Sequence, residues 1–150
     1  MHEIDRSRTA VPWPPEATLL QNFFALREEV LLAFLFGSLA RGRASKTSDA
    51  DVAVLFSRKN NREDLMPRAL SLKNDLEELL PCPVDLVTLN GGDAVIAMQV
   101  LQYGILVHEK AGAQGEFIAR TVGAYEDLKR TRRPLEEALL RHLGVKPHGL

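Results

Sequence analysis

Asp49 and Asp51 stand two residues apart at the head of an apolar run ending at Phe56. In a strand, alternate side chains share a face, so these two carboxylates project from one side about 7 Å apart along the backbone and can share ions. Separated from Asp49 by ten intervening residues, Gly37 and Ser38 close another apolar run, Val30 to Phe36, and open a short helical turn. Glycine permits close backbone approach there, and free N–H groups at such a turn point outward at an anion, which makes it a phosphate seat. Arg41, three residues into the turn, can bring a planar cation to the same anion. Asp85 is the third acid. Its neighbours Val84, Leu86 and Val87 are apolar, and a carboxylate in a buried strand is costly unless paired, hydrogen-bonded or metal-bound.

Three acids on adjacent strands beside a phosphate-binding turn suit two-metal phosphoryl or nucleotidyl transfer. One ion sits on the triphosphate and the other lowers the pKa of the attacking hydroxyl. Magnesium matches all-oxygen ligation that keeps several waters. Taken singly, Gly-Ser reads as a turn and Asp-x-Asp as a solvated loop edge; their combination with a third acid on a separate strand reverses both readings. Arg43 and Lys46 are read equally well as a solvated loop face or as nucleotide contacts.

The elements that must position these groups follow from periodicity. Pro12, Pro14 and Pro15 around Trp13 exclude regular structure over residues 1–15, which read as an arm. Leu19, Leu20, Phe23, Phe24, Leu26 and Val30 then recur at helical steps before the continuous apolar strand 30–36. A second strand covers 49–56, a helix runs from about Arg62 to Leu80, and Pro81 and Pro83 end it. Val84 to Leu89 forms the third strand. Asp93 is the N-cap of a helix through about Tyr103, and Gly104 leads into a short strand, ILVHE. Ile118, Val122, Tyr125 and Leu128 define a further helix, and Pro134 the first turn of a last one. The fold class is α/β or α+β: a mixed sheet of three to four strands flanked by helices, with a helical C-terminal tail. Residues 1–15 are the arm, 16–110 the core and 111–150 a helical extension of the same domain.

Composition sets the remaining bounds. At 150 residues the chain has the length of one domain. Nineteen basic against twenty acidic side chains leave a charge of -1, which argues against coating nucleic acid by bulk charge, so direct nucleic-acid binding is secondary. Cys82 is the only cysteine and reads as an inert structural thiol, excluding an intrachain disulfide. The histidines lack metal-ligand spacing. No apolar run approaches the ~20 residues that span a bilayer, and the expected compartment is the cytoplasm. Lys129, Arg130, Arg132 and Arg133 suit the end of a helix, with contact to a protein partner or nucleic acid the alternative; Tyr125 reads as packing.

The segment GSLARGRASKTSDADVAVLF resembles the signature of the minimal nucleotidyltransferases, a branch of the DNA-polymerase-beta-like superfamily. Gly37-Ser38, ten residues and Asp49-Ala50-Asp51 reproduce the Gly-Ser-x10-Asp-x-Asp spacing of the MntA-type antitoxins that pair with HEPN-domain ribonuclease toxins. Ala40-Arg41-Gly42, Ser48-Asp49, Pro83-Val84-Asp85-Leu86-Val87 and Gly104 to Glu109 are similar as well. The resemblance spans about residues 18–133 and implies a polymerase-beta-like core. It also implies that Gly37, Ser38, Arg41 and Ser48 hold the nucleotide, that Asp49, Asp51 and Asp85 bind two Mg ions, and that Asp85 helps activate the acceptor. The implied reaction transfers AMP from ATP to a tyrosine of a HEPN toxin. Two rivals stay open: transfer to a small hydroxyl compound such as an aminoglycoside, which would call for an additional helical domain, and toxin masking by binding alone.

Overall fold

The computed structural model describes residues 13–42, 48–57 and 65–144. The N-terminal arm up to residue 12 and the loop cations Arg43 and Lys46 lie outside the described residues. In chain order the elements are α1 (Pro15–Phe24), β1 (Val30–Phe36), α2 (Gly37–Ala40), β2 (Ala50–Phe56), α3 (Leu65–Leu79), β3 (Val84–Thr88), α4 (Ala94–Tyr103), β4 (Ile105–Glu109) and α5 (Ala113–His142). The four strands form one mixed sheet in the order β3-β2-β1-β4. β1 pairs antiparallel with β2 and β4, whereas β2 and β3 run parallel, joined by the segment that carries α3.

Both faces of the sheet are covered, which is why β1 and β2 are continuous apolar runs rather than alternating ones. Ala33 and Leu35 of β1 and Val52, Val54 and Phe56 of β2 pack with Leu20 and Phe24 of α1 and Leu72 and Leu76 of α3. The intervening residues, Leu32, Phe34, Ala53 and Leu55, pack with Ala97 and Val100 of α4 and Phe117 of α5. The period-two alternation of a strand thus divides one apolar run between two cores. Asp51 and Asp85 fall on the α4/α5 side, at the end of the sheet where β2 and β3 begin.

Three helix boundaries differ from the sequence pattern. Pro15 belongs to α1 rather than to the arm, because a proline at the first helical positions gives up only an N–H that has no partner there. α1 stops at Phe24, well short of Val30. Arg27 in the following turn is drawn away to Asp75 of α3, with Nη2 donating to Oδ2 at 2.9 Å, and its guanidinium lies 4.5 Å from the Phe23 ring centre. Pro134 does not start a new helix but sits inside the 30-residue α5. An interior proline removes one helical bond and crowds the preceding turn, at a cost of about 3 kcal/mol, but α5 continues through it. Asp93 caps α4 as its position predicts, its carboxylate accepting from the N–H groups of Val95 and Ile96.

Candidate active site

The site forms where the C-terminal end of β1 meets the N-terminal ends of β2 and β3. Phe36, the last residue of β1, is the register partner of Asp51, and Asp51 is in turn the parallel partner of Asp85. Gly37 follows Phe36 directly, and the chain turns there into α2 with a left-handed backbone, φ +75°. A Cβ at this position would fall on the Asp51 carboxylate. Glycine is therefore required twice, for its conformation and for the room it leaves an acid. α2 is one turn long, closed by the Arg41 N–H donating to the Gly37 carbonyl at 3.2 Å. The opening amides of a helix have no acceptor within it, and here they belong to the residues nearest the acids.

The three acids occupy unequal environments. Asp49 precedes β2 and is exposed; Asp51 is half-buried within it; Asp85 is exposed on β3, an edge strand. This corrects the sequence reading of Asp85 as a carboxylate buried in an apolar strand. Its neighbours Leu86 and Val87 are only partly covered, and the edge position leaves Asp85 facing water. The desolvation argument applies to Asp51 instead. Burial, then the charge of Asp85, then that of Asp49, push its carboxyl up from its ordinary value, and every resolved cause acts in the same direction. Like charges disfavour one another's ionisation, so this trio of negative groups lowers its free energy by taking up a cation.

Parallel partners on neighbouring strands are about 4.8 Å apart, and residues two apart along a strand about 7 Å. Among the described residues no set of three or more His, Cys, Asp or Glu side chains converges closely enough to clasp a metal together. Asp51 and Asp85 therefore share a face and Asp49 adds to their electrostatic field, without the three being preassembled into a cage. Exposed Asp49 and Asp85 have rotamer freedom to close on an ion. The donor set, carboxylates with open water-facing sides, fits a hard oxygen-seeking cation such as magnesium.

Of the remaining sequence candidates, Ser38 is half-buried in α2, and Ser48 is half-buried one residue before Asp49. Arg41 is exposed at the C-cap of α2, with its guanidinium 5.3 Å from the centre of the Tyr103 ring. Sequence reasoning missed Tyr103, whose type and spacing single it out in no motif. It also read Asn90 only as part of a turn. The Asn90 amide accepts from the Phe56 N–H and donates to the Phe56 carbonyl, both at 2.9 Å, tying the far end of β2 to the β3–α4 turn. A polar residue just after an apolar strand was the available signal. Burial, reinforced by the Glu16 charge, raises the Cys82 thiol, which disfavours the reactive thiolate.

Two concavities lie among the described residues, and neither is lined by the Gly37 turn or the three acids. A trough of about 820 Å³ beside α5, between Val95 and the cations Lys129 to Arg133, includes none of these residues. Neither does a groove of about 360 Å³ at the opposite end of the sheet, around Asn90 and Phe117.

The chain is similar to several known proteins. Over 117 residues the chain is 27% identical to the protein adenylyltransferase MntA of Shewanella oneidensis, covering 78% of this chain and 81% of that one. A relative from Methanocaldococcus jannaschii is 34% identical over 80 residues, 53% of this chain and 82% of its own. Among solved structures, the fold matches a chain of a toxin-antitoxin crystal structure with AMP-PNP (TM-score 0.62, 24% identity, 84% of this chain and 98% of that one). It likewise matches a chain from the complex of tri-AMPylated Shewanella oneidensis HEPN toxin with MNT antitoxin (TM-score 0.61, 24% identity, 83% and 98%). The family model described as "Polymerase beta, Nucleotidyltransferase" matches residues 19–112, from α1 through β4 and so across the glycine turn and all three acids; the chain belongs to that nucleotidyltransferase family.

Proposed function

We propose that this chain is a magnesium-dependent protein adenylyltransferase and antitoxin, which moves AMP from ATP onto a tyrosine of a HEPN-type ribonuclease toxin in the cytoplasm. The observation that carries the reading is the contact between the left-handed Gly37 turn and the half-buried Asp51, with Asp85 beside it in register. The turn offers amides and the Ser38 hydroxyl to phosphate oxygens, Arg41 adds a positive edge, and Ser48 lies at the approach to the acids. Asp49, Asp51 and Asp85 would hold the metal, which supplies charge neutralisation at the triphosphate and acidifies the acceptor hydroxyl when bound. The acceptor oxygen bonds to the α-phosphorus as the bond to the β-phosphate breaks. Pyrophosphate leaves, and the phenolic proton passes toward the exposed Asp85.

Two features favour a macromolecular acceptor. Asp49 and Asp85 are exposed, and neither described concavity encloses the acids. A small flexible substrate would lack the second wall needed to hold it at attack distance, whereas a docked protein brings its own. The distal half of α5 and its C-cap also present Leu135, Leu139 and Leu143 to solvent, each more than half exposed, on a helix that carries arginines. Apolar surface of this kind suits contact with another protein. Among the described residues no helix is long and apolar enough to cross a membrane.

Intact-mass measurement of the purified toxin after incubation with this protein, ATP and Mg tests the reading. A gain in steps of one AMP, absent without ATP and localised to a tyrosine by fragmentation, is expected. An unmodified toxin that is nevertheless silenced would replace transfer with masking, and an adenylylated aminoglycoside beside an unchanged toxin would move the acceptor to the small-molecule class.

A further inference from the structure

Tyr103 is the last residue of α4 and stands 57% exposed. Its place is set by the residue after it. A Cβ on Gly104 would lie 2.5 Å from the Val100 carbonyl oxygen and 3.5 Å from that of Leu35, so the chain passes there with no room for a side chain. Ile105 then pairs with Leu35, two residues before Gly37. The end of α4 is thereby anchored against the strand that delivers the phosphate turn. On the other side of the contact, Arg41 is held by its own N–H on the Gly37 carbonyl. Its guanidinium lies 5.3 Å from the Tyr103 ring centre, inside the roughly 6 Å over which a ring attracts a cation.

We propose that Tyr103 is a positioning residue for the nucleotide site: its ring holds the Arg41 guanidinium beside the Gly37–Ser38 turn, ready for the triphosphate. This inference rests on the nucleotidyl-transfer reading. An exposed arginine samples many rotamers, and ordering it at the moment of binding weakens affinity. A ring removes part of that cost, because its quadrupole attracts the cation without supplying a hydrogen-bond acceptor that the triphosphate must then displace. The phenolic hydroxyl contributes nothing to this role, so phenylalanine suffices and leucine does not.

Calorimetric titration of the full-length protein with Mg and AMP-PNP tests the idea in the wild type, Tyr103→Phe, Tyr103→Leu, Arg41→Ala and the double variant Tyr103→Leu/Arg41→Ala. Tyr103→Leu should weaken binding about two- to fivefold, the scale of an exposed cation–π contact. Tyr103→Phe should bind as the wild type does, and the double variant no more weakly than Arg41→Ala alone. In turnover the loss should fall on KM for ATP, with kcat held, as removal of uniform binding requires. Thermal melts that coincide for the Phe and Leu variants separate this role from general packing. Wild-type affinity in Tyr103→Leu, or losses that multiply in the double variant, would overturn the proposal. Intact AMP-PNP binding with no transfer to a toxin would sink the toxin reading alone, whereas a wild type that binds no AMP-PNP sinks both.

Discussion

Replacing Gly37 by alanine separates the two demands made on this position. The first is conformational: at φ +75° an L-residue costs about 1–2 kcal/mol relative to glycine. The second is spatial, since the new methyl would coincide with the Asp51 carboxylate. Asp51 is only half-buried, so its side chain can swing aside, and the folding penalty should stay close to the conformational part. For a chain of this length that corresponds to a Tm loss of about 2–8 °C, which leaves the protein folded at 25 °C. Activity should suffer more. Displacing a reacting group by about 1 Å can cost about 10²-fold, equivalent to about 2.7 kcal/mol in the barrier. Initial rates of AMP transfer and a circular-dichroism melt on one preparation measure both. In an Asp51→Ala background the collision disappears, so adding Gly37→Ala there should cost only the conformational share. A Gly37→Ala protein with kcat/KM within about threefold of wild type would refute the phosphate-seat argument, since such a change is under 1 kcal/mol. An unchanged Tm would refute the left-handed turn.

Asp51→Asn should stabilise the protein at neutral pH. The raised native pKa means that the folded state holds the Asp51 proton more tightly than the unfolded one, so this group's contribution to stability is greatest below about pH 3.8 and is lost as pH rises through the native value. The Tm gain of the variant should therefore shrink on acidification, and magnesium should raise the Tm of the wild type at pH 7 but not that of Asp51→Asn. Asp85→Ala should abolish AMP transfer in the mass assay while changing stability by no more than about 0.5 kcal/mol in a denaturant titration, because Asp85 faces water on an edge strand. Asn90→Ala should do the reverse. Losing both bonds to Phe56 should cost about 1–3 kcal/mol by the same titration, with kcat for transfer retained at 15 °C because the contact lies at the opposite end of β2 from the acids.

The parts of the site legible in the sequence are those whose chemistry is local. Gly37 before Ser38 announces a tight turn after a strand, and Asp51 heads the apolar run that folds as β2, with Asp49 just before it. The strand order is not local. That Asp51 pairs with Asp85 depends on how far α3 carries the chain before it re-enters beside β2, and no residue pattern within β3 encodes that register. Nor does hydrophobicity alone distinguish an edge strand from a central one. VDLVT looks as apolar as its neighbour, yet lying at the margin of the sheet leaves Asp85 in water and moves the electrostatic burden onto Asp51. Pro134 misled for a related reason: its place in the chain suits a helix start, but the start of α5 is set twenty-one residues earlier, at Ala113 after the left-handed Gly112. Tyr103 shows the limit most clearly. Its meaning lies in a contact with Arg41, sixty-two residues away in sequence, which exists only because Gly104 lets α4 close against β1. Candidate chemical groups can thus be proposed from spacing, whereas a contact such as that of Arg41 with Tyr103 becomes visible only once β4 is paired against the end of β1 that leads into the Gly37 turn.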